Sequence, residues 1–193
     1  MLKGYITRRP KTLYYVIYKF YEIFRRSLDS RKKLQKLMFL IEHYDLERGI
    51  IGKSERLTGY TFKIWFYGPF SFEIYDDLNV LVRNKVIRET VINYDEEPIL
   101  DETLLGSYID DGEPRKIFYY EPIEKLEDIV KYVERNPYLR FKVERILEMF
   151  GRLKPYEIED LVINKLRLTP FRKLEYWGLT IDEYLEKTAA NRS

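Results

Sequence analysis

The chain has no cysteine among its 193 residues. That excludes disulfides, thiolate zinc sites, iron–sulfur clusters and a cysteine nucleophile. It has one histidine, His43, so a Ser-His-Asp triad would have to centre there and a two-histidine metal site is excluded. His43 falls off the Leu34, Leu37, Met38, Ile41 stripe of its segment and is expected as a half-exposed surface residue. No Gly-rich phosphate loop is present, and no internal repeat or low-complexity tract. No apolar run approaches the roughly 20 residues of a membrane span. Leu13 to Phe24 is apolar and aromatic, but Lys19 and Glu22 interrupt it and no small-residue cleavage site follows, so it does not read as a signal peptide. A cytoplasmic protein without a membrane partner is expected.

What is present is a soluble globular composition: 45% apolar and 34% charged residues, with eighteen tyrosines and eleven phenylalanines. Rings in that number fill cores and interfaces. Zero cysteine with abundant Lys, Glu and Arg is also a thermophile habit. The net charge of +2 hides an asymmetry. Residues 1–36 carry eleven Lys or Arg against Glu22 and Asp29, eleven minus two or +9; residues 93–114 carry eight acids and no base, or −8. Such blocks are either solvated surface or electrostatic partner sites.

Thr12 to Ser27 reads as a helix with the stripe Leu13, Ile17, Phe20, Phe24. Tyr14, Tyr15, Tyr18 and Tyr21 fall largely elsewhere on the wheel. A helix aromatic on two faces is either buried between elements or forms a homodimer interface. A second helix is predicted over Arg31–Arg48, capped by Asp29 or Ser30, with Gly49 as its C′ residue. Arg31, Lys32 and Lys33 occupy its first turn, where cations face the wrong end of the helix dipole. They suit either a long basic surface or a bound anion.

After a loop over Gly49–Gly59, Tyr60–Tyr67 is predicted as a strand and Gly68-Pro69 as its end. Ser71 suits a helix N-cap, with Phe70 and Tyr75 placed for a hydrophobic staple. The third helix buries Ile74, Leu78, Leu81 and Val82 and exposes Glu73, Asp76, Asp77, Arg83 and Asn84. Val86–Ile92 and Arg115–Tyr120 then read as a hairpin around the acidic loop. Helices follow over Ile123–Arg135, Pro137–Phe150, Pro155–Leu166, Pro170–Trp177 and Ile181–Lys187, the last with a capping box from Thr180 to Glu183.

Two signatures carry a resemblance. One is Lys33-Leu34-Gln35-Lys36-Leu37-Met38-Phe39-Leu40. The other is Trp65-Phe66-Tyr67-Gly68-Pro69-Phe70-Ser71 with Ile74-Tyr75-Asp76-Asp77-Leu78. Together they resemble the Panacea domain of SocA-like antitoxins, and the YwgA-like proteins of bacteria and archaea, over roughly residues 10 to 125. The strand before the motif and Phe70 fit the YwgA-like group. The resemblance implies a helical domain with a small sheet and no catalytic residues, acting as an antitoxin or as an adaptor that hands a partner to a protease. In the motif, Tyr67, Gly68, Pro69 and Ser71 set a turn and start a helix.

The fold class expected is α+β, predominantly α-helical. A winged-helix-like core would span residues 1–122, with C-terminal helices over 123–193 packed on it. The function expected is a non-enzymatic regulatory or interaction protein that needs no cofactor. Its partner would be another protein or a second copy, and no small-molecule substrate is evident. The alternative is a DNA-binding regulator. Glu73, Asp76, Asp77 and the acidic loop would repel DNA from the usual winged-helix surfaces. Nucleic acid or an acidic partner would therefore meet Arg8, Arg9, Lys11, Arg25, Arg26, Arg31, Lys32 and Lys33. A second basic set runs from Arg140 and Lys142 to Arg172 and Lys173. A metal-dependent hydrolase using Asp110 and Asp111 is the remote third reading.

Overall fold

The computed structural model describes residues 7–93 and 116–190. The acids from Asp95 to Glu113, with Asp110 and Asp111 among them, lie outside the described residues. The described residues form an α+β protein, mostly helical. Its elements are α1 (Arg8–Phe24), β1 (Leu28–Asp29), α2 (Arg31–His43), β2 (Tyr44–Asp45), β3 (Ile50–Ile51), β4 (Lys63–Trp65), β5 (Gly68–Phe70), α3 (Phe72–Arg83), β6 (Ile87–Asn93), β7 (Lys116–Pro122), α4 (Glu127–Glu134), α5 (Pro137–Phe150), α6 (Pro155–Leu166), α7 (Pro170–Glu175) and α8 (Ile181–Ala190).

The first helix begins four residues earlier than its apolar stripe suggests. Pro10 lies in the first turn, where its missing N–H would have had no partner anyway. The helix ends at Arg25, which adopts φ +53° and donates its N–H to the Tyr21 carbonyl. Tyr14 and Tyr15 are fully buried, and so are Leu13, Ile17 and Phe20. Hence α1 is buried on two faces, and the homodimer reading of its tyrosines is corrected. Tyr14 accepts from Leu126 N–H and donates to the Glu124 carbonyl; Tyr15 donates to Glu134. Of the four, only Tyr21 is exposed.

The second helix stops at His43, five residues short of the predicted end. Asp45 Oδ1 accepts from both Glu47 and Arg48 N–H at 3.0 Å. This local side-chain turn competes with continuing the helix. The chain folds back, and Tyr44–Asp45 pairs with Ile50–Ile51. Gly49, at φ +68°, is a turn residue rather than a helix C′.

The long hairpin is present: β6 pairs with β7 from Ile87↔Pro122 to Asn93↔Lys116. Leu28–Asp29 adds to the far side of β7, giving the order β1-β7-β6. The C-terminal helices pack on the first two, α4 against α1, α5 against both and α6 against α2. The bounds of α5 and α6 match the sequence reading, since Pro137 and Pro155 each occupy a first turn. Gly151 ends α5 against α1; a Cβ there would lie 2.6 Å from the Phe24 ring. The capping box of α8 forms, Thr180 N–H donating to Glu183 and Glu183 N–H to Thr180 Oγ1. One buried apolar cluster runs from Leu13 to Tyr184.

Candidate functional site

The turn at Gly68-Pro69 does not end a strand. It opens one: Lys63–Trp65 and Gly68–Phe70 pair as a tight hairpin, Trp65↔Gly68 closing the loop. Phe66 and Tyr67 keep negative φ, so the positive φ that the loop needs falls on Gly68, at +82°. Pro69 is tolerated because β5 is an edge strand with no third strand beside it among the described residues.

That edge is occupied by side chains of α2. Tyr67, Pro69 and Ser71 are two residues apart, so their carbonyls leave the chain on one side. Lys36 Nζ donates to the Tyr67 carbonyl at 2.5 Å and the Pro69 carbonyl at 2.8 Å. Gln35 Nε2 donates to the Ser71 carbonyl at 2.8 Å, and Gln35 Oε1 accepts from Ser71 N–H at 3.1 Å. The two sequence signatures are thus one hydrogen-bonded unit, in which α2 replaces a missing neighbour strand. Lys36 is fully buried and makes no ion pair among the described residues. Burial, helped by the nearby charges of Lys32 and Lys173, brings its ammonium down to about pKa 7 against an opposing pull from Glu159.

Ser71 precedes α3 as expected, but its hydroxyl donates to Glu73 at 2.6 Å and does not cap the backbone. The staple is present, Phe70 meeting Tyr75 edge-on with ring centroids 5.2 Å apart. Asp77 is corrected from the outer face to the interior. It is buried, accepts from Tyr60 OH at 2.8 Å and lies 3.3 Å from Arg9 Nε. Burial raises its carboxyl above the usual range, against the pull of Tyr60 and Arg9.

The other edge of the hairpin is covered as well. Ile64 N–H donates to the Leu179 carbonyl, and Gly178 N–H returns a bond to Ile64. This brings Trp177 onto Trp65, ring centroids 4.2 Å apart. Phe66 and Phe72 join the same cluster, edge-on to Trp177 and Trp65. Lys173 of α7 donates to the Phe66 carbonyl at 3.1 Å. The hairpin tip, the first residue of α3 and α7 therefore present large apolar groups to solvent. Phe66 is 61% exposed, Phe72 53%, Phe171 74% and Leu174 72%. The signal for this patch was in the sequence as Trp65-Phe66 and Phe171, but nothing local marked it as exposed.

The predicted basic face is mostly tied up within the chain. Arg31 bonds Tyr120 OH and Glu89, with its guanidinium 3.7 Å from the Phe118 ring centroid. Lys32 pairs with Glu159 at 2.8 Å, and buried Lys33 with Asp29 at 2.9 Å. These carboxylates compensate the cations at the start of α2. Arg8 donates to the carbonyls of Arg56 and Leu57, and Lys11 lies over the Tyr132 ring. Arg25 and Arg26 remain exposed. In the second basic set, Lys142 is fully buried against Glu55.

His43 is corrected from half-exposed to buried, at 3% exposure. The loop after α2 and the start of α8 cover it. Its Nδ1 contacts the Gly52 carbonyl at 3.0 Å, and Asp182 Oδ1 lies 3.8 Å away. Burial pushes the imidazole below its usual pKa, despite Gly52, Glu42 and Asp182. Ser54, His43 and Asp182 thus meet, but not as a catalytic triad. Ser54 Oγ donates to Glu42, and the nitrogen a triad uses to orient the base is spent on a backbone carbonyl. Glu42 is fully buried and also accepts from Thr58 Oγ1, Thr58 N–H and Leu57 N–H. Burial raises its pKa, but the bonds from Ser54 and Thr58 outweigh it and hold the carboxyl below the usual range. Among the described residues no three His, Asp or Glu side chains gather to hold a metal, and no helix is long and apolar enough to cross a membrane.

The model of the SocA-like antitoxin family, the Panacea domain, matches residues 34–166, more than half of the chain. The chain belongs to the Panacea-domain family. The match begins at Leu34 inside the α2 signature, takes in the clamped hairpin and runs to the end of α6. It thus leaves out α1 and includes helices beyond residue 125, where the resemblance read from sequence stopped. No curated protein and no solved structure matches the chain.

Proposed function

We propose that this Panacea-domain protein is a non-enzymatic regulator of antitoxin type that works by binding a partner protein. The aromatic patch at the hairpin tip is its docking surface. The observation that carries the reading is four large apolar side chains, Phe66, Phe72, Phe171 and Leu174, each more than half exposed. Phe66 lies at the tip of a hairpin bonded along both edges, Phe72 opens α3 directly after it, and Phe171 and Leu174 lie on α7, which Lys173 ties to the tip. Contiguous exposed apolar surface marks interaction sites, and rigid aromatic groups are the usual anchors of a protein interface because little freedom is lost when they dock. Clamping both edges of the hairpin supplies that rigidity.

The order α1, β1, α2, α3, β6, β7, with β1 joined to the hairpin, supports a winged-helix-like core with the aromatic hairpin inserted before α3. Such a core does not make the chain a DNA reader. Glu73 and Asp76 lie on α3, and Arg31, Lys32 and Lys33 have acidic partners inside the chain, which speaks against phosphate binding there.

An antitoxin neutralises a growth inhibitor encoded beside it. The test is co-expression of this chain with the product of each adjacent gene in a bacterial host. One neighbour should arrest growth alone, and the chain should restore growth and co-purify with it. The Phe66→Ser, Phe171→Ser double variant should restore neither growth nor co-purification. Neighbours that are harmless and do not bind would defeat the antitoxin reading. Rescue that survives the double substitution would defeat the docking surface.

A further inference from the structure

A second site lies on the other end of the hairpin, away from the aromatic tip. The loop from Ser54 to Phe62, the end of α2, the first turn of α8 and Arg8 of α1 enclose a cleft of about 370 Å³. That volume is at the small end of ligand pockets and suits a molecule of amino-acid size.

The walls contain acceptor groups with hydrogen-bonding capacity left over among the described residues. His43 is 97% buried (3% exposed) and lines the cleft. Its Nδ1 is taken by the Gly52 carbonyl, while Nε2 has no hydrogen-bond partner among the described residues. With Nδ1 carrying the proton, Nε2 is a buried acceptor aimed at no protein donor. Asp182 stands beside the ring, its Oδ1 3.8 Å from Nδ1 and accepting from Ser54 N–H, while its Oδ2 has no hydrogen-bond partner among the described residues. The acceptor pair is not needed by its neighbours, since Ser54 Oγ is spent on Glu42 and the Thr180 hydroxyl on Glu183. The opposite charge is gathered around Arg56. The Arg8 guanidinium reaches the Arg56 carbonyl at 3.1 Å, and neither arginine faces a carboxylate among the described residues. The cleft therefore has an acceptor half and a cationic half.

We infer that this cleft binds a small zwitterion of the amino-acid class. Its ammonium group would donate to Asp182 and His43, and its carboxylate would lie against the guanidinium groups of Arg8 and Arg56. Ammonium and carboxylate are the one compact pair of groups that satisfies both halves at once, and charge-assisted hydrogen bonds at both ends fix its direction. Occupancy would also tie α8 and the 54–62 loop to α1. The site is independent of the partner-binding patch, so either can fail without the other.

The test is calorimetric titration of the full chain with each of the standard L-amino acids in turn. At least one should bind with one site per chain. Its N-acetyl derivative and its methyl ester, each lacking one of the two charges, should bind at least about tenfold more weakly. Two variants should do the same with an unchanged melting temperature. Arg56→Asn removes the charge at a residue whose φ of +54° asparagine tolerates. Asp182→Asn keeps an oxygen for Ser54 N–H and loses the anion. Absence of binding by every amino acid at millimolar concentration overturns the inference. Binding that either variant or either capped derivative leaves intact overturns it as well.

Discussion

Lys36 gives the clamp a measurable signature. Its ammonium is fully buried, donates to two carbonyls and has its pKa brought down to about 7 by burial. An unfolded lysine titrates near 10.4. Between about pH 7 and pH 10 the unfolded chain therefore holds one proton at this position that the folded chain has lost. Stability then rises with pH, by up to about 1.4 kcal/mol per unit for one full proton. The gain is complete above the unfolded value and disappears as pH falls through the folded one. The whole effect is of order 4 kcal/mol. Buried tyrosines act the other way near the top of this range. Burial raises the phenol pKa of Tyr15, Tyr60 and Tyr120, so the unfolded chain ionises first and stability falls above about pH 10. The variant Lys36→Met carries the same tyrosines and lacks the lysine, so the difference between the two proteins isolates Lys36. Urea unfolding at pH 7.5, 8.5 and 9.5 should give wild type a slope more positive than the variant by about 1 kcal/mol per unit. Equal slopes, or a wild type that loses stability relative to the variant as pH rises, would refute a buried lysine that sheds its proton.

Other substitutions test neighbouring parts of the same structure. Gly68→Ala should cost about 1–2 kcal/mol in urea unfolding, because φ +82° is strained for a residue with a Cβ; a neutral result would refute a turn that depends on glycine. Glu42→Gln should cost about 2–3 kcal/mol, since a carboxylate accepting four bonds is replaced by an amide that presents a donor to Thr58 or Ser54. Because the Glu42 pKa is held low, its stabilisation is present above the unfolded carboxylate value and is lost on acidification through the folded one. The variant should therefore show a shallower loss of stability in acid than wild type, measured by the same unfolding assay.

Sequence reasoning located what local chemistry decides. Pro137 and Pro155 start helices, Gly151 stops one, and the Phe70–Tyr75 staple and the Thr180 capping box are written in adjacent residues. The β4–β5 hairpin was missed because Pro69 reads as a strand breaker, and it is tolerable only because β5 has no third strand beside it among the described residues. The end of α2 was missed because the Asp45 side chain builds a turn that apolar periodicity does not register. Asp77 and His43 were placed outside because the groups covering them, Tyr60, Gly52 and Asp182, come from distant segments. The charge block at the N-terminus misled for a related reason. The acids that neutralise Arg31 and Lys32, Glu89 and Glu159, lie 58 and 127 residues away along the chain. The motif itself was legible as a family mark, but its mechanism was not. That needed the sight of Gln35 and Lys36 bonded to the far side of β5. The cleft around His43 had no signal in the sequence, since its walls come from four separate elements.

We propose that the clamped hairpin holds an aromatic patch against a partner protein. The most direct measurement is the affinity of the purified partner from the adjacent-gene experiment for wild type and for Phe66→Ser with Phe171→Ser, with the melting temperature of each recorded. Loss of two anchors of this kind should weaken binding at least about hundredfold. The melting temperature should hold, because both side chains are already exposed in the free chain. Equal affinity for the two proteins would contradict the claim.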